Sequence, residues 1–412
     1  MSRVVVVGSS VGGVRTALSL RASGFDGDVV LVGEEAVLPY DKPPLSKGVL
    51  SGNSPAARMS LLTEEDAREA GIELVLGKCA VHLDVPGREV ALAGGDRLSF
   101  DDVVVATGAR ARPSPWGQPE GVHVLRSLAD AAGLRADLLR GGHVVIVGGG
   151  FIGAEVASTA HALGLPVTVV DPQEIPLSRV LNPEVGRLFT GLYEQKGIST
   201  RFGVSVEGID GSRGALRIRL SDGTDLDAAI VVVGIGAIPN DGWLASSGLR
   251  VEDGLVCDEF SRAVGAPRVH AVGDVARWFH PVQRTYIRAE HWTNAVKQAG
   301  CVAHNIIHSD QLRAYSPLEY VWSDQFDWKI QIAGRTGGAL EHCVVDGPEP
   351  DRSFAVLYGD AEGRLCGVVV VNWARALVEC RRTLSGDSAS VAAMRERVAS
   401  LVNKPSSQRQ PT

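Results

Sequence analysis

The strongest constraint in this chain is an internal duplication. Two apolar, β-branched runs each end in a glycine-rich turn that opens a helical pattern. In "HVVIVGGGFIGAEVASTAHALG" the G-x-G-x-x-G spacing is intact at Gly148, Gly150 and Gly153. In "RVVVVGSSVGGVRTAL" the same slots hold Gly8, Ser10 and Gly13. The first slot makes a tight turn, the second lets backbone approach a pyrophosphate, and the third lets helix and strand pack closely. Serine adds only a CH₂OH group, and Gly12 and Gly13 supply slack beside it. Both copies are therefore expected to hold a nucleotide, with the pyrophosphate at a helix N-terminus.

The two copies continue alike. "DVVLVGEE" ends in Glu34 and "PVTVVD" in Asp171, each at the distance where a carboxylate accepts hydrogen bonds from both ribose hydroxyls. Glu35 is a rival for Glu34, because strand ends shift by a residue or two. Farther on, "FDDVVVATGARARP" and "DAAIVVVGIGAIPN" are buried-strand patterns ending in small-residue turns, Ala106-Thr107-Gly108 and Gly234-Ile235-Gly236. "RVHAVGDVA" adds a strand before Gly273-Asp274, where the aspartate is placed to cap a helix or hold a polyol hydroxyl.

Composition removes other classes. The chain has 412 residues, 45% of them hydrophobic and 22% charged, enough for two or three domains. No apolar run approaches the ~18 residues of a membrane helix, and the chain starts directly with a strand pattern. A cytoplasmic location is expected, with no membrane contact. The net charge of −7, with signs interspersed, argues against nucleic acid. Six cysteines (Cys79, Cys257, Cys301, Cys343, Cys366, Cys380) include no C-x-x-C, so neither a bound metal nor a redox dithiol is expected.

With "LPYDKPPLSK", "AEHWTNAVKQA" and "WSDQFDWKIQIAG" in order around these fingerprints, roughly residues 3–400 resemble the putidaredoxin reductase family. These are flavoprotein ferredoxin reductases that serve oxygenases. The resemblance implies an α/β architecture: two Rossmann-like nucleotide-binding domains, for FAD and NAD, and a C-terminal α+β sheet domain. The corresponding division is 1–112 with 242–315 for FAD, 113–241 for NAD and 316–402 for the C-terminal domain. Short strand patterns separated by Gly/Asp turns after about residue 310 fit an antiparallel sheet. The polar tail 403–412 is expected to be disordered.

Carried over residue by residue, the resemblance puts non-covalent FAD on Gly12, Glu34, Lys47, Val81, Arg126, Asp274 and Trp292. Arg126 also reads as an ordinary surface arginine. The paired prolines before Lys47 predict an extended approach that aims this lysine. In the family it lies near flavin N5, paired with the glutamate that is Glu155 here. NADH would use Gly148, Gly150, Ile152, Gly153, Glu155, Asp171, Gly234, Ile235 and Gly236. Phe151 would shield the flavin face. "RAEHWTNAVKQAGCVAHNI" predicts a helix starting near His291-Trp292-Thr293, whose positive end suits a reduced flavin. Trp322 is expected beside the flavin, with Trp328 as its competitor for that place.

The implied chemistry is hydride transfer from NADH to flavin, then single electrons to a small iron-sulfur ferredoxin, of the two-iron type, that feeds an oxygenase. NADH is expected over NADPH, because Asp171 would oppose a 2′-phosphate and no arginine follows until Arg179. Arg284, Arg288, Arg313 and Lys329 are candidates for docking an acidic ferredoxin. A monomer and a homodimer are equally compatible. Two other classes stay open: an NADH oxidase or peroxidase, which would need a cysteine that "EEAVLPYDKPPLSK" lacks, and an NADH-sensing flavoprotein of the apoptosis-inducing-factor type.

Overall fold

A computed structural model describes residues 2–54, 59–349, 352–386 and 388–402. The tail expected to be disordered lies outside them. The chain divides into two compact units. The first comprises Met1–Pro113, Val124–Arg135 and Ile235–Pro317 and is built on a nine-stranded sheet. At its centre Ala266–Ala271, Asp102–Val105, Arg3–Val7, Asp28–Gly33 and Ile72–Leu76 run parallel, in that order.

Burial on both faces explains the unbroken valine runs. Val4 and Val6 pack with Val14, Ala17 and Leu20 of the helix Val11–Ala22 and with Val302 of the helix Trp292–Ile307. Val5 and Val7 point the other way, toward Trp278 and the antiparallel meander Ala80–Asp84, Glu89–Leu92 and Arg97–Ser99. Strand order reverses around Arg3–Val7, so a crevice opens at the carboxyl ends of the strands there. The helix Trp292–Ile307 begins where the sequence predicts.

"KPPLS" departs from expectation. Pro43–Ser46 is a 3₁₀ turn with proline at its first positions, not an extended segment. The first residues of such a turn need no backbone N–H, so two prolines start it at no hydrogen-bond cost. Of the two placements open to Asp274, the helix cap is not made, since it lies inside the 3₁₀ turn Gly273–Val275.

The second unit comprises Ser114–His123, Ala136–Gly234 and Leu318–Thr412. Its parallel sheet has the order Ser199–Phe202, Val167–Asp171, Val144–Val147, Ile230–Val233, Val122–His123. A three-stranded antiparallel sheet, Val206–Ser212, Ala215–Leu220 and Asp225–Ala228, accompanies it. The C-terminal sheet is antiparallel, ordered Tyr320–Gln325, Trp328–Gly334, Leu365–Val371, Phe354–Gly359, Glu341–Asp346. Helices Ala374–Ser385 and Val391–Ala399 cover one face of it. The other face receives Phe189 and Leu192 of the helix Pro183–Gln195, which Asn182 caps by accepting the Val185 N–H. No helix among the described residues is long and apolar enough to cross a membrane.

Phe189 is fully buried and meets Trp328 edge-on with ring centroids 5.3 Å apart. Phe189→Ala is expected to destabilise this unit by about 3–5 kcal/mol, lowering the denaturant midpoint for loss of near-UV circular dichroism. Val378→Ser, on an exposed helix face, should change stability by less than about 0.5 kcal/mol.

Candidate functional site

The two glycine turns have the same local design. Gly8 and Gly148 adopt φ of +121° and +114°, and a Cβ on either would overlap the carbonyl of Ala106 or Gly234. A Cβ on Gly13 or Gly153 would overlap the carbonyl of Gly8 or Gly148. Glycine at the outer slots is therefore a requirement of the fold.

The middle slot is different, and this explains Ser10. Ser10 has φ −93° and ψ −167°, and Gly150 has φ −79° and ψ −175°; both are extended, a conformation open to any residue. Nothing lies within 4 Å of a Cβ built on Gly150. The fold itself does not require glycine here, and a hydroxymethyl group is tolerated. Ser10 is a good capping type, yet its side chain caps nothing, and Gly150 has no side chain to cap with. Both helices thus present first-turn N–H groups without a side-chain cap, as an anion site requires.

In the first unit the turn opens into a cavity of about 480 Å³. Gly8, Ser10, Gly12, Glu34 and Glu35 line one part; Ala106, Thr107, Gly108, Arg126 and Asp274 line another. Thr107 is tied down by its hydroxyl to the Asn240 carbonyl (2.7 Å), and Asn240 Nδ2 donates to the Thr107 carbonyl (3.0 Å). Arg126 is no idle surface arginine. Its Nε donates to the Ala109 carbonyl and its Nη2 to Asp274 Oδ2, each at 2.8 Å.

Glu34 and Glu35 have distinct surroundings. Glu35 accepts from the Tyr40 hydroxyl (2.7 Å) and pairs with Lys42 Nζ (3.2 Å). Burial pushes the Lys42 ammonium below its ordinary pKa, against the pull of Glu35. Burial and the Glu35 carboxylate raise the Tyr40 phenol. Glu34 is exposed at the cavity beside Cys79, whose thiol is raised by burial and by Glu34. Sequence reasoning missed Tyr40 and Lys42, although both lie in the quoted "LPYDKPPLSK".

Three expected contacts lie off the cavity lining. Val81 is 51% exposed. Lys47 Nζ donates to the Pro43 carbonyl at 3.3 Å. Trp292 Nε1 donates to Asp41 Oδ1 at 2.7 Å; burial nevertheless raises the Asp41 carboxyl above its usual range. Ile235 belongs to this unit with Gly236, whose carbonyl accepts from Arg112 N at 2.9 Å. Of the proposed docking arginines, Arg288 is already paired with Asp253 and Glu290.

In the second unit Asp171 ends its strand as expected. Its Oδ2 accepts the Gly149 N–H at 2.6 Å and its Oδ1 the Gln173 N–H at 2.7 Å. The carboxylate is thus fixed against the glycine turn. Ile152 is 45% exposed on the first helical turn, and Glu155, three residues on, is buried. Trp322 stacks on Tyr320 with centroids 6.2 Å apart, whereas Trp328 is core, packed on Phe189 and Phe354. Phe151 is partly buried against the same core.

Both cradles suit a dinucleotide: close backbone, uncapped helix N–H groups and a carboxylate at the end of the next strand. The first also opens into the cavity of about 480 Å³ that the Arg126–Asp274 pair helps to line.

Residues 2–299 match the family model described as pyridine nucleotide-disulphide oxidoreductase, and residues 320–401 match the one described as reductase C-terminal. Rhodocoxin reductase of Rhodococcus erythropolis is 34% identical over 385 residues, 93% of this chain and 89% of that one. Putidaredoxin reductase of Pseudomonas putida is 34% identical over 379 residues, 90% and 88% of the two chains. A solved ferredoxin reductase for the CYP199A2 system of Rhodopseudomonas palustris is similar, with a TM-score of 0.90, 32% identity and 97% coverage of both chains. So the chain belongs to the pyridine nucleotide-disulphide oxidoreductase family, among the putidaredoxin reductase-like flavoproteins that carry the reductase C-terminal domain.

Proposed function

We propose that this chain is an FAD-dependent NADH:ferredoxin reductase that passes electrons from NADH to a small two-iron ferredoxin feeding an oxygenase. The observation that carries this reading is the duplicated cradle without a redox dithiol: all six cysteines are free, and Cys79 alone among them lines the cavity, beside Glu34. A structure solved as a covalent putidaredoxin reductase–putidaredoxin complex, similar at TM-score 0.90 and 30% identity over 98% of this chain and 99% of that one, supports the partner class. The anthranilate 1,2-dioxygenase reductase component of Burkholderia cepacia, 34% identical over 92% of this chain and 93% of its own length, supports the oxygenase connection. An NADH oxidase or a purely sensing flavoprotein is not favoured by these likenesses.

Bound FAD supplies the chemistry, accepting a hydride from NADH and yielding single electrons. The chain's residues bind and orient. First-turn N–H groups after Ser10 would take the pyrophosphate, and Glu34 would accept the adenosine ribose hydroxyls while Glu35 stays engaged with Tyr40 and Lys42. Arg126 and Asp274 would hold the ribityl side, Lys47 and Glu155 would orient the nicotinamide, and Val81 would offer a backbone contact. The positive end of the helix that starts at Trp292 would favour the reduced ring. NADH would lie on Gly148, Gly150, Ile152, Gly153, Asp171 and the Gly234–Gly236 turn, with Trp322 on the electron-exit side. The proposed domains are 1–112 with 242–315, 113–241 and 316–402. We also propose a cytoplasmic location, in keeping with six reduced thiols.

Anaerobic NADH is expected to bleach the flavin, and an added two-iron ferredoxin to accelerate cytochrome c reduction severalfold; equal rates with and without ferredoxin would reject the partner. The kcat/KM for NADH should exceed that for NADPH about 100-fold, because a 2′-phosphate against a fixed carboxylate costs several kcal/mol; steady-state kinetics check this. Glu34→Gln should weaken FAD retention more than Glu35→Gln, and Ser10→Gly should leave it unchanged, as read by flavin fluorescence on dilution.

A further inference from the structure

We propose that Ser323, oriented by Gln325, is a positioning residue that holds Glu155 for nicotinamide binding and the hydride step; this rests on the reading of Glu155 given above. Glu155 lies in the helix Phe151–Ala162, which starts at the second glycine turn, and is 4% exposed. A buried carboxylate needs donors. The Ser323 hydroxyl donates to Glu155 Oε1 at 2.7 Å, and Gln325 Nε2 donates to Ser323 Oγ at 3.2 Å. Because the amide occupies the oxygen as a donor, the hydroxyl proton is left for the carboxylate. Such a chain has one polarity, amide to hydroxyl to carboxylate, and its bonds strengthen one another. Ser323 and Gln325 are 0% and 1% exposed, so water does not compete.

A second tie fixes the register of strand on helix. Three residues beyond Ser323, the Phe326 N–H donates at 2.8 Å to Oγ of Ser158, three residues beyond Glu155. Phe326, at φ +55° in the hairpin, meets His161 and Tyr193 edge-on, and Lys196 pairs with Asp327 at 2.7 Å. Along Tyr320–Gln325 the side chains alternate. Val321 joins the core that holds Phe151, whereas Tyr320 joins the opposite core under helices Ala374–Ser385 and Val391–Ala399. Ser323 and Gln325 share the side of Val321, and Trp322 lies on the other. Ser323 can therefore be altered without replacing the Tyr320–Trp322 stack.

The test uses the FAD-loaded enzyme and four single variants, Ser323→Ala, Ser323→Thr, Gln325→Met and Glu155→Gln, with the double variant Ser323→Ala/Glu155→Gln. The readouts are the NAD⁺ dissociation constant by calorimetry, the flavin–nicotinamide charge-transfer absorbance, and the anaerobic rate of flavin reduction. Ser323→Ala should weaken NAD⁺ binding and slow reduction about tenfold, the worth of a hydrogen bond to a charged group, with flavin content unchanged. Ser323→Thr should restore most of the loss, and Gln325→Met, which keeps the hydroxyl but frees its rotor, should fall between. In the Glu155→Gln background Ser323→Ala should add nothing, because both act through one interaction. If Glu155→Gln is impaired and the two effects simply add, or if folded Ser323→Ala binds NAD⁺ as the parent does, the positioning role is overturned while the reading of Glu155 stands. If Glu155→Gln itself binds NAD⁺ and is reduced like the parent, that reading falls and the positioning role falls with it.

Discussion

The contact on which the molecule depends is the approach of a helix to the carbonyl at the end of its own strand, where Gly13 lies over Gly8 and Gly153 over Gly148. Without a side chain at the outer slots, each helix descends until its first-turn N–H groups face the crevice at the carboxyl ends of the strands. Neither Ser10 nor Gly150 supplies a side-chain cap, whereas Thr63, Asn182 and Ser390 cap the helices that follow them. Donors left uncapped at both cradles are a stability cost in the free chain, of about 1 kcal/mol per missing cap. An anion bound there offsets it. The β-branched runs behind the turns, Val4–Val7 and Val144–Val147, are buried at every one of these positions and hold the two geometries in place.

Charge around the first cradle is arranged so that one carboxylate remains available. Burying Lys42 near Arg126 lowers its pKa, and Glu35 opposes that loss at 3.2 Å. Tyr40 ties the same carboxylate to the chain, accepting in turn from the Leu128 N–H at 3.1 Å. Glu35 is thereby a structural acid, and Glu34, next along the strand end, is exposed at the cavity. Adjacent identical residues thus acquire different surroundings from their neighbours alone, a distinction completed by the contact of Tyr40 with Leu128, 88 residues away.

Separation along the chain marks the boundary of what the sequence discloses. Strands, cradles and the helix at Trp292 follow from local periodicity and glycine spacing, so they were readable. Partners across long separations were not: Asp274 meets Arg126 148 residues away instead of capping a helix, and Ser323 meets Glu155 across 168 residues. The 3₁₀ turn at Pro43–Ser46 escaped for another reason. Paired prolines exclude a continuous helix and permit both an extended segment and a helical start, and only the surrounding packing selects between them. Trp328 competes with Trp322 in sequence, six residues apart, until the sheet assigns Trp328 to the core beside Phe189 and Trp322 to the Tyr320 stack.

The cysteines carry the argument from binding to chemistry. A dithiol acceptor needs two thiols within bonding reach and one of them readily ionised. Here Cys79 is the cysteine lining the cavity, and burial with the Glu34 carboxylate raises its pKa. Cys257 and Cys380 are buried in apolar cores with their thiols pushed up as well, and Cys301 is raised to about 11. Burial raises Cys343 and Cys366 as well, so in this member of a family named for disulphide chemistry all six thiols are shifted toward the protonated form. A sulfur-based acceptor is thus not built into this chain, in keeping with the proposed transfer to an outside acceptor.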